Sequence, residues 1–486
     1  MVNKANGAEV IKARSIAGVV ALTSRTFILQ IIAFAATIFL TIFLTPAVFG
    51  LFYVVSAIVA FLGYFSDVGL AAALIQKKEQ LTREDLVTTF TIQQILVGTT
   101  VLLVLFSSSL IGSWYGLDDS GIWLLRVLAI AFFISSLKTI PSILLERELA
   151  FSTLIIPQIL ETIGFYATAI FLAWLGFGVT SFTWAVGVRA VVGLVAMYVV
   201  APWVPGFGIS RGVAKQLMRY GIPFQLNSFL ALIKDDLLTV FLGRALPLGH
   251  IGYIGWAKKW AEVPLRLIMD SVIRVTFPAF SRLQHDKERL RLAIEKTLFG
   301  LSVTIFPITV AMIVAIKPLI AVIPRYGKWE PAVVSFYLFA VASAVASLST
   351  PLTNALNALG FIKTTLKLMI LWTLLTWVLT VSLLPFMGFN GVAFSLLLIT
   401  STLILVVILA QRAVPFSFRT SVQVPFISSV GQATLSLGMI MFLGSSLAVA
   451  IVAVIAGGIL FGGIVWVFER EKLLALKSNL LTLWKR

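Results

Sequence analysis

The sequence predicts an all-α integral membrane protein of about fourteen transmembrane helices, arranged as two pseudo-symmetric six-helix lobes plus two C-terminal helices, with both termini cytoplasmic. Three observations carry this reading: the composition, the number of long apolar stretches, and the alternation of positive charge between successive connections. Of the 486 residues, 59% are hydrophobic and 12% charged. An ordinary soluble domain carries ~25% charged residues. At a mean hydropathy of +1.04, so long a chain cannot cover itself with polar surface, and the bilayer must be its solvent.

A membrane-crossing helix needs ~20 mostly apolar residues. Such stretches lie near 18–43, 47–72, 86–112, 121–143, 151–175, 179–203, 218–243, 249–280, 291–322, 331–358, 364–386, 390–411, 424–444 and 447–468. The polar, basic residues 1–15 precede an apolar stretch too long for a signal-peptide core and without a small-residue cleavage site. That stretch therefore reads as an uncleaved first helix. Short Pro/Gly connections separate many spans, such as Thr45-Pro46 and Gly176-Phe177-Gly178.

Charge gives an independent test of the count. Alternate connections carry Lys4, Lys12 and Arg14; Lys77, Lys78 and Arg83; Arg147; Arg211, Lys215 and Arg219; Arg282, Lys287, Arg289 and Arg291; Lys363 and Lys367; Arg412 and Arg419; and Arg470, Lys472, Lys485 and Arg486. The intervening connections carry few, with Arg244, Lys317, Arg325 and Lys328 as the exceptions. Cytoplasmic loops collect lysine and arginine, so an even number of spans with both termini inside satisfies the pattern. The same rule accounts for the net charge of +17 without nucleic acid as a partner. With no cysteine and only His250 and His285, disulfides, thiolate chemistry and Cys/His zinc sites are excluded, and no cofactor or metal is expected. The basic tail from Arg470 interleaves leucines with charge, which suits a solvated stop-transfer tail or a helix on the anionic leaflet. Gly458 and Gly462 form a GxxxG pair, more often plain helix packing than dimerisation.

An internal repeat is visible. Residues 43–52 join the first and second spans, and residues 245–254 join the seventh and eighth. Laid over each other, they share a proline near the turn and a glycine followed by bulky residues. The implied division is 1–205, 206–415 and 416–486. Paired bundles of this kind are common in transporters that work by alternating access.

Several segments resemble the polysaccharide-transport, Wzx-type branch of the multidrug/oligosaccharidyl-lipid/polysaccharide flippase superfamily. They are Phe49-Gly50-Leu51-Phe52 leading to Ser66-Asp67-Val68-Gly69; Leu145-Glu146-Arg147-Glu148-Leu149; Asp236-Leu237-Leu238 with Phe241-Leu242-Gly243-Arg244; Arg274 through Gln284; and Asn357-Ala358-Leu359-Gly360. They fall in order across about the first 360 residues. The resemblance implies two six-helix lobes, alternating access, and an undecaprenyl-pyrophosphate-linked oligosaccharide as substrate. The eighth span departs from the family, where it is usually apolar and aromatic.

That span carries Lys259, Glu262, Arg266, Asp270 and Arg274, with Lys258 beside them. Steps of three and four residues place them along one helical face, a stripe of ~22 Å at 1.5 Å per residue. A charge at the bilayer centre costs ~2.5–3.5 kcal/mol on insertion scales, so the stripe should face protein or a water-filled cavity. It is either a self-neutralising ladder or a cavity wall with surplus cations for phosphate. Arg25, Arg189 and Lys234 are expected in the same cavity, Asn227 shares a face with Lys234, and Lys138 lies in the inner half of the fourth span. Arginine's planar fork suits phosphate oxygens. Glu161, Asp235, Asp236, Glu262 and Asp270 are candidate coupling or charge-balancing carboxylates, with Glu161 expected to pair with Arg189. Arg126 is close enough to a helix end to snorkel, and Asp67 reads as a cap. Tyr253, Trp256 and Trp260 either stack on sugar faces or pack. No G-x-x-x-x-G-K-[ST] loop occurs, so energy comes from an Na+, H+ or potential gradient or from downstream consumption of substrate.

Two other classes predict different features. A cation-coupled drug exporter of the related toxin-extrusion branch would want an acidic cavity. A membrane polysaccharide polymerase or ligase would want a large extracytoplasmic loop, and the longest here is about 315–329.

Overall fold

The computed structural model describes residues 28–66 and 68–484, with side chains throughout except at 223, 224, 226–228, 267, 270, 271, 274, 275 and 475–484. Every regular element among the described residues is helical. The first is α1 (Ile28–Phe43). It is followed by α2 (Pro46–Tyr64), α3 (Leu70–Gln76), α4 (Arg83–Tyr115), α5 (Asp119–Ser136), α6 (Thr139–Arg147), α7 (Phe151–Trp174) and α8 (Val179–Val200). Next come α9 (Arg211–Leu232), a π-helical turn (Ile233–Leu237), α10 (Leu238–Ala245), α11 (Leu248–Ala261) and α12 (Val263–Leu283). The remainder is α13 (Lys287–Val322), a 3₁₀ stretch (Tyr326–Ala332), α14 (Val333–Ala358), α15 (Ile362–Met387), α16 (Asn390–Thr400), α17 (Leu403–Ala413), α18 (Phe418–Leu443) and α19 (Leu447–Trp484).

Eleven helices among the described residues are long and apolar enough to cross a membrane, and the protein is a multi-pass membrane protein. The other three expected spans fall on the shorter α1 and on two interrupted stretches. The seventh is α9 and α10 joined through the π turn. The eighth is α11 and α12, broken at Glu262 just before Pro264, so the expected single charged helix is two. Pro264 lies in the first turn of α12, where its missing N–H costs nothing. The second expected span breaks after Tyr64, and the fourth breaks at Leu137-Lys138.

Two compact units make up the chain, 1–252 and 253–486. In the first, α7 packs along α8, α8 on α5, and α5 on α4, while α9 to α10 lie on α2, α3 and α4. Gly69, at φ 72°, closes against α9 so tightly that a Cβ there would collide with the Gly221 carbonyl. A second crossing joins residues 46–50 to residues 248–252. A Cβ on Gly50 of α2 would collide with the Leu248 carbonyl, and one on Gly252 of α11 with the Pro46 carbonyl. The two contacts are reciprocal: residues 46 and 50 meet 252 and 248, each the other's counterpart under one shift of the numbering.

In the second unit, α13, α14, α17 and α18 surround a core that includes Leu298, Leu301, Ile305, Leu348, Leu352 and Val406. Helix α19 packs on α13 and α18. It bends at Glu469, whose φ is −135°. Side chains at Gly458 and Gly462 would meet no atom within 4 Å. Their GxxxG therefore packs on no described side chain or backbone; the neighbouring Gly457 packs instead, on Ser436 and Gln432.

Candidate functional site: charged residues within the spans

In the first unit the break between α5 and α6 decides where Lys138 goes. The chain leaves the α5 helix at Leu137, and Lys138 precedes the first turn of α6. From there its ammonium reaches across to α7 and pairs with Glu161. Both side chains are largely buried, at 18% and 12% exposure. Gly193 of α8 makes room, since a Cβ there would run into the Glu161 carboxylate. The expected Glu161–Arg189 pair is thus replaced by Glu161–Lys138. Arg189 is exposed on α8, with its guanidinium carbon 5.9 Å from the centroid of the Phe165 ring. A buried pair of opposite charges lowers the cost of holding either in hydrocarbon.

Lys234, Asp235 and Asp236 all sit in the π turn. π turns often mark functional positions, because the extra residue per turn re-aims side chains. Lys234 Nζ lies 3.9 Å from Asp235 Oδ2, and both side chains are at least one-third exposed. The Thr239 hydroxyl donates to the Asp235 carbonyl at 2.8 Å, one of the backbone acceptors that the turn loosens. Arg126, read as a snorkelling residue, donates from Nε to Ser108 Oγ at 2.9 Å.

In the second unit, Glu262 stands at the break and accepts from Arg266 Nη2 at 2.8 Å and Nε at 3.2 Å. Arg266 remains exposed over about half its side chain, while Glu262 is mostly covered. The ladder therefore neutralises itself at its first rung. Lys258 and Lys259 close α11 and are half-buried. Asp270 and Arg274 lie in α12, with their side chains outside the described set, as is that of Asn227; Arg25 and Asp67 lie outside the described residues altogether. Trp256 is 2% exposed. It stacks on Trp329 at 5.5 Å with the rings 13° apart, which makes it a packing residue rather than a sugar platform. Tyr253 and Trp260 are half-buried at the edge of the same aromatic cluster.

Sequence reasoning missed one further arrangement. Arg147 closes α6 and donates from Nη1 to the carbonyls of Leu74 and Lys77, both at 2.6 Å, and from Nη2 to that of Glu79 at 2.9 Å. Next to it, Lys77 Nζ reaches Asp85 Oδ1 at 2.7 Å, and Asp85 also completes a capping box with Thr82. The readable signal was Thr82-x-x-Asp85 ahead of an apolar run. Among the described residues no three His, Asp or Glu side chains gather as a metal site would require.

Comparison with known proteins places this chain. Residues 39–334 match the family described as polysaccharide biosynthesis protein. The lipopolysaccharide biosynthesis protein WzxC of Escherichia coli is 26% identical over 341 residues, 67% of this chain and 66% of that protein. The succinoglycan biosynthesis transport protein ExoT of Rhizobium meliloti is 27% identical over 51% of this chain and 49% of its own length. Among solved structures, the inward closed conformation of the lipid II flippase MurJ aligns with a TM-score of 0.73, covering 92% of this chain and 98% of MurJ at 14% identity. An inward-facing multidrug resistance MATE family transporter of the MOP superfamily aligns at 0.59 with 16% identity, over 92% of this chain and 98% of its own. The chain belongs to the polysaccharide biosynthesis protein family, and its fold is that of the lipid II flippase MurJ and of MATE transporters.

Proposed function

We propose that this protein is a flippase of the cytoplasmic membrane. It carries a lipid-(pyro)phosphate-linked oligosaccharide across the bilayer by alternating access, for assembly of a polysaccharide or lipopolysaccharide. The observation that carries the reading is the agreement of two likenesses. By sequence the chain matches a family and relatives named for polysaccharide and lipopolysaccharide biosynthesis, and by fold it aligns best among the structures cited with a lipid II flippase. It is a transporter, not an enzyme. An undecaprenyl-pyrophosphate type of carrier fits the surplus of cations in the spans, because a pyrophosphate headgroup crosses hydrocarbon only if charge-assisted hydrogen bonds replace its hydration.

The substrate phosphate falls to Arg25, Arg189, Lys234, Lys258, Lys259, Arg266 and Arg274. Asp235, Asp236, Glu262 and Asp270 balance that charge or couple it to Na+ or H+; Glu161 balances Lys138 locally. The full topology is fourteen spans with both termini cytoplasmic. The halves 1–205 and 206–415 are a division by repeat rather than by packing, with 416–486 appended. The reciprocal Gly50 and Gly252 contacts support that division. An ion-coupled multidrug exporter is the second reading, favoured by the MATE likeness and opposed by the excess of basic over acidic residues.

The test is leaflet exchange in liposomes that carry a fluorescent lipid-pyrophosphate oligosaccharide on one leaflet. The protein should accelerate exchange over empty liposomes. Replacing Arg189, Lys234, Lys259 and Arg266 together by glutamine should bring the rate down to that of empty liposomes while the protein remains in the membrane. An unchanged rate would sink the site assignment, and no acceleration with any sugar or gradient would sink the function.

A further inference from the structure

Helix α4 runs from Arg83 to Tyr115, 33 residues, or ~50 Å at 1.5 Å per residue. Its ends therefore reach opposite faces of a bilayer. At the Arg83 end stand Lys77, Asp85 and Arg147. At the Tyr115 end a cleft of about 700 Å³ opens, lined by Trp114, Tyr115, Gly116, Arg244, Leu248 and Gly249 among others. Ligand sites commonly occupy ~300–1,000 Å³, so there is room for a sugar phosphate.

Arg244 is the feature that needs explaining. It is one of the few cations on connections that otherwise lack them, on the side that the positive-inside rule leaves poor in lysine and arginine. Its side chain is exposed, and it makes no ion pair with any described carboxylate. The Tyr115 hydroxyl donates to the Val240 carbonyl at 3.2 Å, tying the end of α4 to α10 just before Arg244. Trp114 is 61% exposed beside it. A side chain at Gly116 or Gly249 would meet no atom within 4 Å, so both glycines leave the wall open. The His250 and Ile251 amides in the first turn of α11 already donate to the Pro247 carbonyl, so a ligand here relies on side chains.

We propose that this extracytoplasmic cleft binds a phosphate-bearing headgroup, with the phosphate on Arg244 and the sugar or glycerol part against Trp114. Arginine offers phosphate a bidentate, charge-assisted contact, and an indole face suits the apolar side of a polyol. Two sources share this chemistry: a phospholipid of the outer leaflet, or the emerging lipid-linked glycan. The second rests on the flippase reading.

The chain has no cysteine, so Gly249→Cys in the full-length protein supplies a unique thiol in open space. Its rate of reaction with a maleimide is measured in dodecyl maltoside, which carries no phosphate. Glucose 1-phosphate should slow labelling in a concentration-dependent way, and glucose should not. Arg244→Gln should weaken that protection by about tenfold or more, and Arg244→Lys should keep part of it. Slowing by dioctanoyl phosphatidylglycerol but not by glucose 1-phosphate assigns the site to membrane lipid; slowing by glucose 1-phosphate assigns it to the glycan. Labelling that neither probe slows, or protection unchanged in Arg244→Gln, overturns the proposal. An unaltered labelling rate without probe shows that each variant keeps the cleft folded. Binding is read here without transport, so a failed leaflet-exchange assay leaves this result standing, and the reverse holds.

Discussion

At the scale of single residues, the Lys138–Glu161 pair shows how a membrane interior accepts charge. Both side chains are largely buried, and each is the other's ion-pair partner. Lys138→Met leaves Glu161 alone and should cost about 3 kcal/mol, read as a lower unfolding temperature in detergent. Adding Glu161→Leu should return most of that loss, because a buried pair replaced by apolar groups is often neutral. Gly193→Ala should be milder, since the atoms it meets are the movable ends of those two side chains. Arg147 makes a different kind of contact. Its fork holds three carbonyls at the end of α3 and in the loop behind it. Arg147→Ala should free that loop, and trypsin should cut after the exposed Lys78 several-fold faster by mass spectrometry. The charged residues themselves were legible in the sequence, but their partners were not. Hydropathy gave no sign that α5 would stop at Leu137, and that stop is what turns Lys138, rather than Arg189, toward Glu161.

Helices and turns repeat the lesson at the next scale. A stretch of ~20 residues averages over irregularities, so the apolar stretches are legible in the sequence while the breaks at Lys138 and Glu262 and the π turn Ile233–Leu237 are not. The break at Glu262 falls where Pro264 can occupy the first turn of the next helix, since it has no N–H to satisfy. The eighth span reads as one charged helix in the sequence; across the break at Glu262, Glu262 and Arg266 form an i,i+4 pair among the described side chains. At the crossing of α2 and α11 the two backbones approach closely at Gly50 and Gly252. The obstructing atoms there are backbone, which cannot rotate away. Gly50→Ala and Gly252→Ala should each destabilise by about 1–3 kcal/mol, checked by thermal unfolding in detergent, and each should exceed Gly193→Ala.

For the molecule as a whole, the topology is directly testable because any introduced cysteine is unique. Asp119→Cys should react with an impermeant maleimide on intact cells. Gln80→Cys and Lys363→Cys should react only after permeabilisation, and a reporter enzyme fused after Arg486 should be active only if it works in the cytoplasm. Reversal of any one of these would change the number of spans between them. The overall class was legible because the positive-inside pattern and the apolar stretches are summed over hundreds of residues, whereas packing between particular helices is decided by a few atoms. The glycine crossing carries a further consequence for how the chain tolerates mutation. A contact that exchanges its own two sides under one shift of the numbering is isologous, as at the axis of a C2 dimer. In a C2 homodimer a single mutation at such a glycine strikes both sides of the axis at once. In this single chain the two glycines vary separately, so a substitution at one leaves the other side of the crossing as it was.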